Sequence, residues 1–502
     1  MQGTQPMAVL ATRFRRMALI DDALAMLYWD RSTMMPSGAA DARTDQIAEL
    51  TRMSREILVA PETEAALDGA EAELAADASA FDAWQQADLA LMRRSFVLET
   101  AVPADLVEAL QRAGARSEMA WRKNRGANDF AAQAPFLAEV IRLTREAAEV
   151  RGAALGLSPY DAQLELFEPG LRDSDVTPVF QDLQSWLPDM IDNILSRQDA
   201  GPAPKRPVGP FAVAGQKLLG EQFMRDLGFD FERGRLDESL HPFTGGIPDD
   251  SRLTTRYTED SFTEALMGIL HETGHALYEQ GLPKSCRARP TGRSGGMALH
   301  ESQSLIVEMQ LCRGPAFLDY ALPQIREVFG GQDALRAGNY GRLVRHVERG
   351  LIRVDADEAT YPLHVILRHR LEKGLLSGDL AIRDLPGAWN DAMQELVGIR
   401  PDSDRNGCLQ DIHWMDGAIG YFPTYTLGAL AAAQLMAALR RDVPDLDDQI
   451  RAGRFEAFTG WLRDRVHRRG RSADTGRIVV DASGQPLSAD AFRQHLQARY
   501  LG

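Results

Sequence analysis

His271-Glu272-Thr273-Gly274-His275 sets two imidazoles four residues apart with a carboxylate beside the first. On a helix these positions share one face, so two ring nitrogens can converge on a cation while the glutamate stands at the open coordination position. That is the spacing of a zinc hydrolase. The helix is expected independently of the motif. Ser261 with Glu264 reads as a capping box, and Phe262, Leu266, Ile269 and Leu270 form an apolar stripe at helical spacing. Gly281 is the expected C-cap and Pro283 bars continuation, which gives about five to six turns.

A hydrolytic zinc site needs three protein ligands and one open position. Met297 opens a second helix carrying His300-Glu301-Ser302-Gln303, separated from the first by the Gly-, Arg- and Pro-rich stretch Lys284 to Gly296. Glu301 is the best third ligand. His300 is its rival, but neighbours on a helix point about a hundred degrees apart, so only one of them faces the metal.

Polar groups for substrate come from elsewhere. Between Gly228 and Tyr257, around His241-Pro242-Phe243 and Asp250-Ser251-Arg252-Leu253-Thr254, polar and apolar residues alternate at period two. This predicts a small sheet before the metal helix, with one strand edge open to substrate. Glu348 to Arg370 reads as a helix kinked at Pro362, which would put Arg349 and Arg353 on one face. Two polar, aromatic loops follow, Gly407 to Trp414 with His413 and Gly420 to Tyr425 with Tyr421, and loops of this kind are expected against a site. His413 and Tyr421 are the candidate donors to a tetrahedral intermediate.

The surrounding frame is helical. Met7 to about Gly156 has long Ala-, Leu-, Glu- and Arg-rich stretches, Glu62 to Asp77 reads as a solvated helix, and Asp173 to Ser196 adds another. Gly201 to Gly209, with three prolines, is the clearest linker, dividing an N-terminal helical half (about 1–200) from a catalytic half (about 210–502) of a single domain, 1–502. No internal repeat of fixed period is found. Leu446 to Gly502 is again helical, with a turn or short strand at Ile478 to Val480.

Composition supports a globular protein: 502 residues, 44% hydrophobic, 25% charged. With 56 basic against 72 acidic residues the formal charge is −16, which argues against nucleic acid or an anionic membrane as partner. Cys286, Cys312 and Cys408 form no disulfide framework and are expected as reduced thiols of a cytoplasmic protein. No apolar stretch follows Arg13, Arg15 and Arg16 to make a secretory signal, and Gly428 to Leu439 is too short to span a bilayer.

The chain resembles the carboxypeptidase Taq family of metallocarboxypeptidases. The resemblance rests on His241-Pro242-Phe243, Asp250-x-Arg252-x-Thr254, His271-Glu272-x-x-His275, His300-Glu301-Ser302-Gln303, Ile352-Arg353-x-x-Ala356-Asp357-Glu358 and Gly407-x-x-Gln410-Asp411-x-His413-Trp414, in the order and approximate spacing of the family. It implies a mainly α, saddle-like zincin fold with a deep active-site groove, a homodimer, and removal of single residues from peptide C-termini with broad specificity. It also implies His271, His275 and Glu301 as ligands of zinc, with cobalt a workable substitute, and Glu272 as the catalytic glutamate.

Two hydrolytic readings share this chemistry, a metallocarboxypeptidase and an oligoendopeptidase on the same scaffold. A cation that receives a free C-terminal carboxylate separates them. Arg353 is the first choice, Arg349 and Arg252 compete, and His241 and Gln303 complete the expected substrate-binding set. An inactive binding scaffold is disfavoured, because Glu272 adds nothing to metal binding.

Overall fold

The computed structural model describes residues 5–502. Six helices open the chain: α1 (Gln5–Thr33), α2 (Ala40–Leu58), α3 (Pro61–Ala76), α4 (Ala83–Ala101), α5 (Ala104–Ala127) and α6 (Phe130–Leu155). Short α7 (Pro159–Phe167) and long α8 (Asp173–Asp199) follow, and then the extended Pro/Gly stretch and α9 (Val213–Asp226). Helix α3 carries the acidic stretch with its outer face solvated and Thr63, Ala66, Leu67 and Ala70 turned inward.

The predicted sheet has three strands, β1 (Gly234–Glu238), β2 (Phe243–Ile247) and β3 (Asp250–Thr255), in the order β1-β3-β2. β3 pairs parallel to β1 and antiparallel to β2. A tight turn joins β2 to β3, and Gly246 takes φ +86°, a conformation that suits glycine.

The helix carrying His271 and His275 is α10 (Thr263–Gly281), followed by α11 (Met297–Leu305), which widens into π-type turns over Ile306–Cys312. Then come α12 (Pro315–Phe329), α13 (Ala337–Val344), α14 (Tyr361–Ser377), α15 (Leu385–Leu396) and α16 (Pro423–Asp442). Helices α17 (Leu446–Arg451), α18 (Glu456–Arg465), α19 (Thr475–Ser483) and α20 (Asp490–Leu496) close the chain.

Two apolar cores meet on α16. Leu427, Leu430 and Ala433 belong to one that joins α6 and α8 to α14, α15 and α20. Leu435, Met436 and Leu439 belong to the other, around α9, α10, α12 and α18. Gln434, the polar residue in this run, is buried and donates to Ser483 Oγ and to the Gln485 and Pro486 carbonyls, so its amide costs little there. Among the described residues, no helix is long and apolar enough to cross a membrane.

Four local expectations are corrected. Ser261 forms no capping box; α10 starts at Thr263 with Phe262 at the N-cap, and burial of Phe262 anchors this end instead. Gly281 is the last helical residue rather than the cap. A Cβ there would lie 2.5 Å from His467 Nδ1, so the glycine admits the His467 ring. Glu348 to Arg370 is not one helix. Pro362 sits in the first turn of α14, where a missing N–H leaves no bond unmade, and Asp357 terminates the preceding loop by accepting from the Ala359 and Thr360 N–H groups. Ile478 to Val480 lies inside α19, with Ile478 and Val479 packed inward.

Candidate metal centre

The crossing of α10 and α11 depends on one glycine. A Cβ on Gly274 would fall 2.2 Å from the Gln303 carbonyl oxygen, so only glycine allows this approach. On the other side of α11, a Cβ on Gly428 of α16 would lie 2.9 Å from Glu301 Cβ, and the glycine lets α16 press Glu301 toward α10. Three ligand atoms, from His271, His275 and Glu301, thereby lie within 4.8 Å of one another. Glu301 Oε2 is 3.5 Å from His275 Nε2 and 3.9 Å from His271 Nε2.

Both imidazoles are oriented from behind. His271 Nδ1 is 3.0 Å from Glu308 Oε2, and Arg313 Nη2 holds the other Glu308 oxygen at 2.6 Å. His275 Nδ1 is 3.1 Å from the His300 carbonyl oxygen and 2.7 Å from His300 Nδ1. Both Nε2 atoms are thus left free toward Glu301, the arrangement that fixes tautomer and ring angle in metal-ligating histidines. His300 stands behind His275, with its Nε2 3.0 Å from Glu279 Oε1, and does not join the ligand group.

The electrostatics suit a cation. Burial pulls the His271 pKa down, but the bond to Glu308 and the charges of Glu301, Glu308 and Glu272 outweigh it and push it up to about 10. Burial lowers His275, which favours the neutral ring a metal takes. Burial works to raise Glu301, yet His275 and His271 hold it down at about 2, so the carboxylate is ionised. The carboxylates that hold a proton on His271 would equally hold a metal ion in its place, so the N,N,O set fits a divalent ion such as zinc.

Glu272 is buried on the same helix. Thr244 of edge strand β2 donates to Glu272 Oε2 at 2.6 Å, and the other carboxylate oxygen accepts no bond from the described residues.

The aromatic loops lie on the Glu301 side. Burial, with the Glu301 charge among the smaller causes, raises the Tyr361, Tyr421 and Tyr425 phenols above their ordinary range. The His413 ring packs at a tilt against Phe422 and Tyr421, with Nε2 3.4 Å from Tyr425 Oη and Nδ1 buried without a partner among the described residues. Burial and the Arg353 charge push His413 down to about 4, so the ring is neutral at physiological pH.

Arg353, at the head of a single 3-10 turn rather than on an α-helix, adjoins this cluster through ring faces. Its Nε and Nη2 donate to Asp411 Oδ1, its Nη1 donates to Tyr361 Oη at 2.7 Å, and its guanidinium lies over the Tyr425 ring. Arg368 donates to the other Asp411 oxygen at 2.7 Å. Two buried guanidiniums therefore share one carboxylate.

The remaining candidates sit elsewhere. Arg349 is bonded to the Val397 carbonyl and to Asp192 on α8, so the shared helical face with Arg353 does not exist. Arg252 is forked onto Asp250 and stacked over Trp29. Buried Gln303 Oε1 pairs with His467 Nε2, and His241 is exposed on the β1–β2 loop. Sequence reasoning passed over Glu308 and Thr244. Glu308 had a signal, being two helical turns after Glu301 where a histidine ligand needs a carboxylate partner, whereas Thr244 reaches the site only through sheet register.

A helical chain with this donor set beside a buried glutamate has the make-up of a metal-dependent hydrolase. A sequence model of the carboxypeptidase Taq (M32) metallopeptidase family matches residues 9–500, and the chain belongs to that family. It is 35% identical over 496 residues to thermostable carboxypeptidase 1 of Thermus thermophilus, covering 97% of this chain and 96% of the relative. It is 32% identical over 498 residues to the Pyrococcus furiosus protein of the same name, covering 98% of each. Metallocarboxypeptidase 1 of Trypanosoma cruzi superposes with a TM-score of 0.96 at 37% identity, covering 99% of this chain and 100% of that one.

Proposed function

We propose that this metallocarboxypeptidase removes single amino acids from the free C-termini of peptides with broad specificity, using zinc held by His271, His275 and Glu301. The observation that carries the reading is the convergence of these three groups beside Glu272. Zinc bound there, or cobalt in its place, supplies Lewis acidity toward the scissile carbonyl and the attacking water.

The chain's own residues do the rest. Thr244 fixes Glu272 Oε2, so the unbonded oxygen is the one that takes the water proton and later delivers it to the leaving amine. His413 and Tyr421 are assigned as donors to the developing oxyanion, His413 through a neutral N–H. The buried excess of positive charge at Arg353 and Arg368 favours an exopeptidase, because a substrate carboxylate would balance it by a charge-assisted bond.

The chain is read as a single domain, 1–502, forming a groove over the metal centre and working as a homodimer, as the family resemblance implies. The three buried free thiols support a cytoplasmic setting. The test is incubation of the zinc-loaded protein with an N-blocked peptide bearing a free C-terminus, followed by mass analysis. A ladder losing one residue at a time from the C-terminus is expected, and internal fragments would replace the reading with an oligoendopeptidase.

A further inference from the structure

A second cluster of unbalanced charge lies away from the metal centre. A cavity of about 490 Å³ opens between the Pro/Gly stretch after α8, helix α13 and the C-terminal turns. Arg197, Arg342, Arg345, Arg499 and His346 line it, against a single acidic residue, Asp199. In a chain of net charge −16 such a concentration of arginine runs against the composition.

Two of the arginines have partners. Arg499 donates to Glu358 Oε1 and to the Met309 carbonyl, each at 2.7 Å, and Arg197 to the Leu501 and Gly502 carbonyls. Arg342 and Arg345 have no ion pair or side-chain hydrogen bond among the described residues, and Arg345 Nε is buried unpartnered. Burial, with the charge of Arg499, lowers the Arg345 pKa, a penalty that a bound anion would relieve. Gly341 makes room for this: a Cβ there would meet Arg345 Nη2 at 2.7 Å.

We propose that this cavity binds a small phosphorylated molecule and is linked to the metal centre through Arg313 and Glu308. Guanidinium forks suit a phosphate with several oxygens, and Pro202 and Pro204 add apolar lining for an organic moiety. The link is short. Val344, next to Arg345, accepts from Arg313 Nη1 at 2.9 Å; Arg313 holds Glu308, and Glu308 holds His271. Arg499 touches the same turn at Met309. A ligand that reorders Arg345 and Arg499 therefore acts on the segment that orients a metal ligand, and the effect is reciprocal.

The test uses the full-length protein, metal-free and zinc-loaded, with ribose 5-phosphate as probe. Calorimetry on the metal-free chain is expected to show one equivalent bound with Kd of about 1 mM or tighter. Binding should weaken at least about tenfold in Arg345→Gln and be unchanged in Arg383→Gln, an exposed arginine elsewhere. Thermal unfolding of each variant checks that it is folded. Saturating probe should shift zinc affinity, measured by chelator competition, by at least about fivefold in the parent and not in Arg345→Gln, which corrects for probe that binds zinc in solution. No binding by about 10 mM, or equal binding by Arg342→Gln/Arg345→Gln, would overturn the site. Unchanged zinc affinity in the parent would overturn the link.

Discussion

His271 Nδ1 and Glu308 Oε2 lie 3.0 Å apart, and this contact fixes the angle at which the His271 ring presents Nε2 to Glu301. Glu308 is itself held by Arg313, so the orientation is transmitted from a buried ion pair. Replacing Glu308 with alanine is expected to weaken zinc binding by about 10- to 100-fold while leaving the peptide specificity of the loaded enzyme unchanged. Chelator competition measures the first and product analysis the second. An unaltered zinc affinity would mean that the ring needs no support from behind.

Glu272→Gln keeps the shape of the side chain and its bond to Thr244 but removes the proton acceptor. Turnover should fall by several orders of magnitude, with one zinc per chain retained. Activity within about tenfold of the parent would move the base elsewhere.

Arg353 supplies the next test, because its charge is not cancelled by the Asp411 carboxylate it shares with Arg368. Arg353→Ala should lower kcat/KM on free-acid peptides by roughly 1.5 to 3 kcal/mol of transition-state stabilisation and hardly change a C-terminally amidated peptide. Equal losses on both would reduce Arg353 to a structural role beneath the aromatic cluster.

Acidity enters through Glu372 of α14, which is buried and accepts from Trp414 Nε1, the Gly420 N–H and Tyr160 Oη. It thus ties down both loops that carry His413 and Tyr421. Burial outweighs these bonds and raises its pKa from 4.5 to about 7. A raised carboxylate pKa means that the folded chain binds more protons than the unfolded one between these values. The Glu372 contribution is therefore present at low pH and is lost as pH rises from about 4.5 to 7. Urea unfolding across that window should show a shallower decline for Glu372→Gln than for the parent, by up to about 1.4 kcal/mol per pH unit. Parallel curves would show that the carboxyl is ionised in the fold.

Helix α10 is legible in the chain because its signal is local: histidine spacing and apolar stripe both lie between Phe262 and His275. Glu301 needed only a loop long enough to return α11 against α10. Arg353 was legible as a residue and not as a geometry. Its side chain is positioned by Asp411, 58 positions away, and the Asp357-to-Pro362 run is a helix start that looks like helix interior when apolar spacing alone is read. The end of α10 is hidden for a similar reason, since Gly281 answers to His467 across the fold rather than to its own helix. Local pattern marks the three candidate ligands and leaves a trace of Glu308, whereas Thr244 and the partners of Arg353 come from tertiary packing.

The central claim is that His271, His275 and Glu301 hold the catalytic ion with one position left open. Anomalous scattering at the zinc edge from crystals of the zinc-loaded protein tests it most directly. The account predicts one strong peak per chain, about 2.0–2.2 Å from the two Nε2 atoms and a Glu301 oxygen, with no fourth protein ligand. A peak elsewhere, or one whose fourth position is closed by His300 or Glu272, would contradict it.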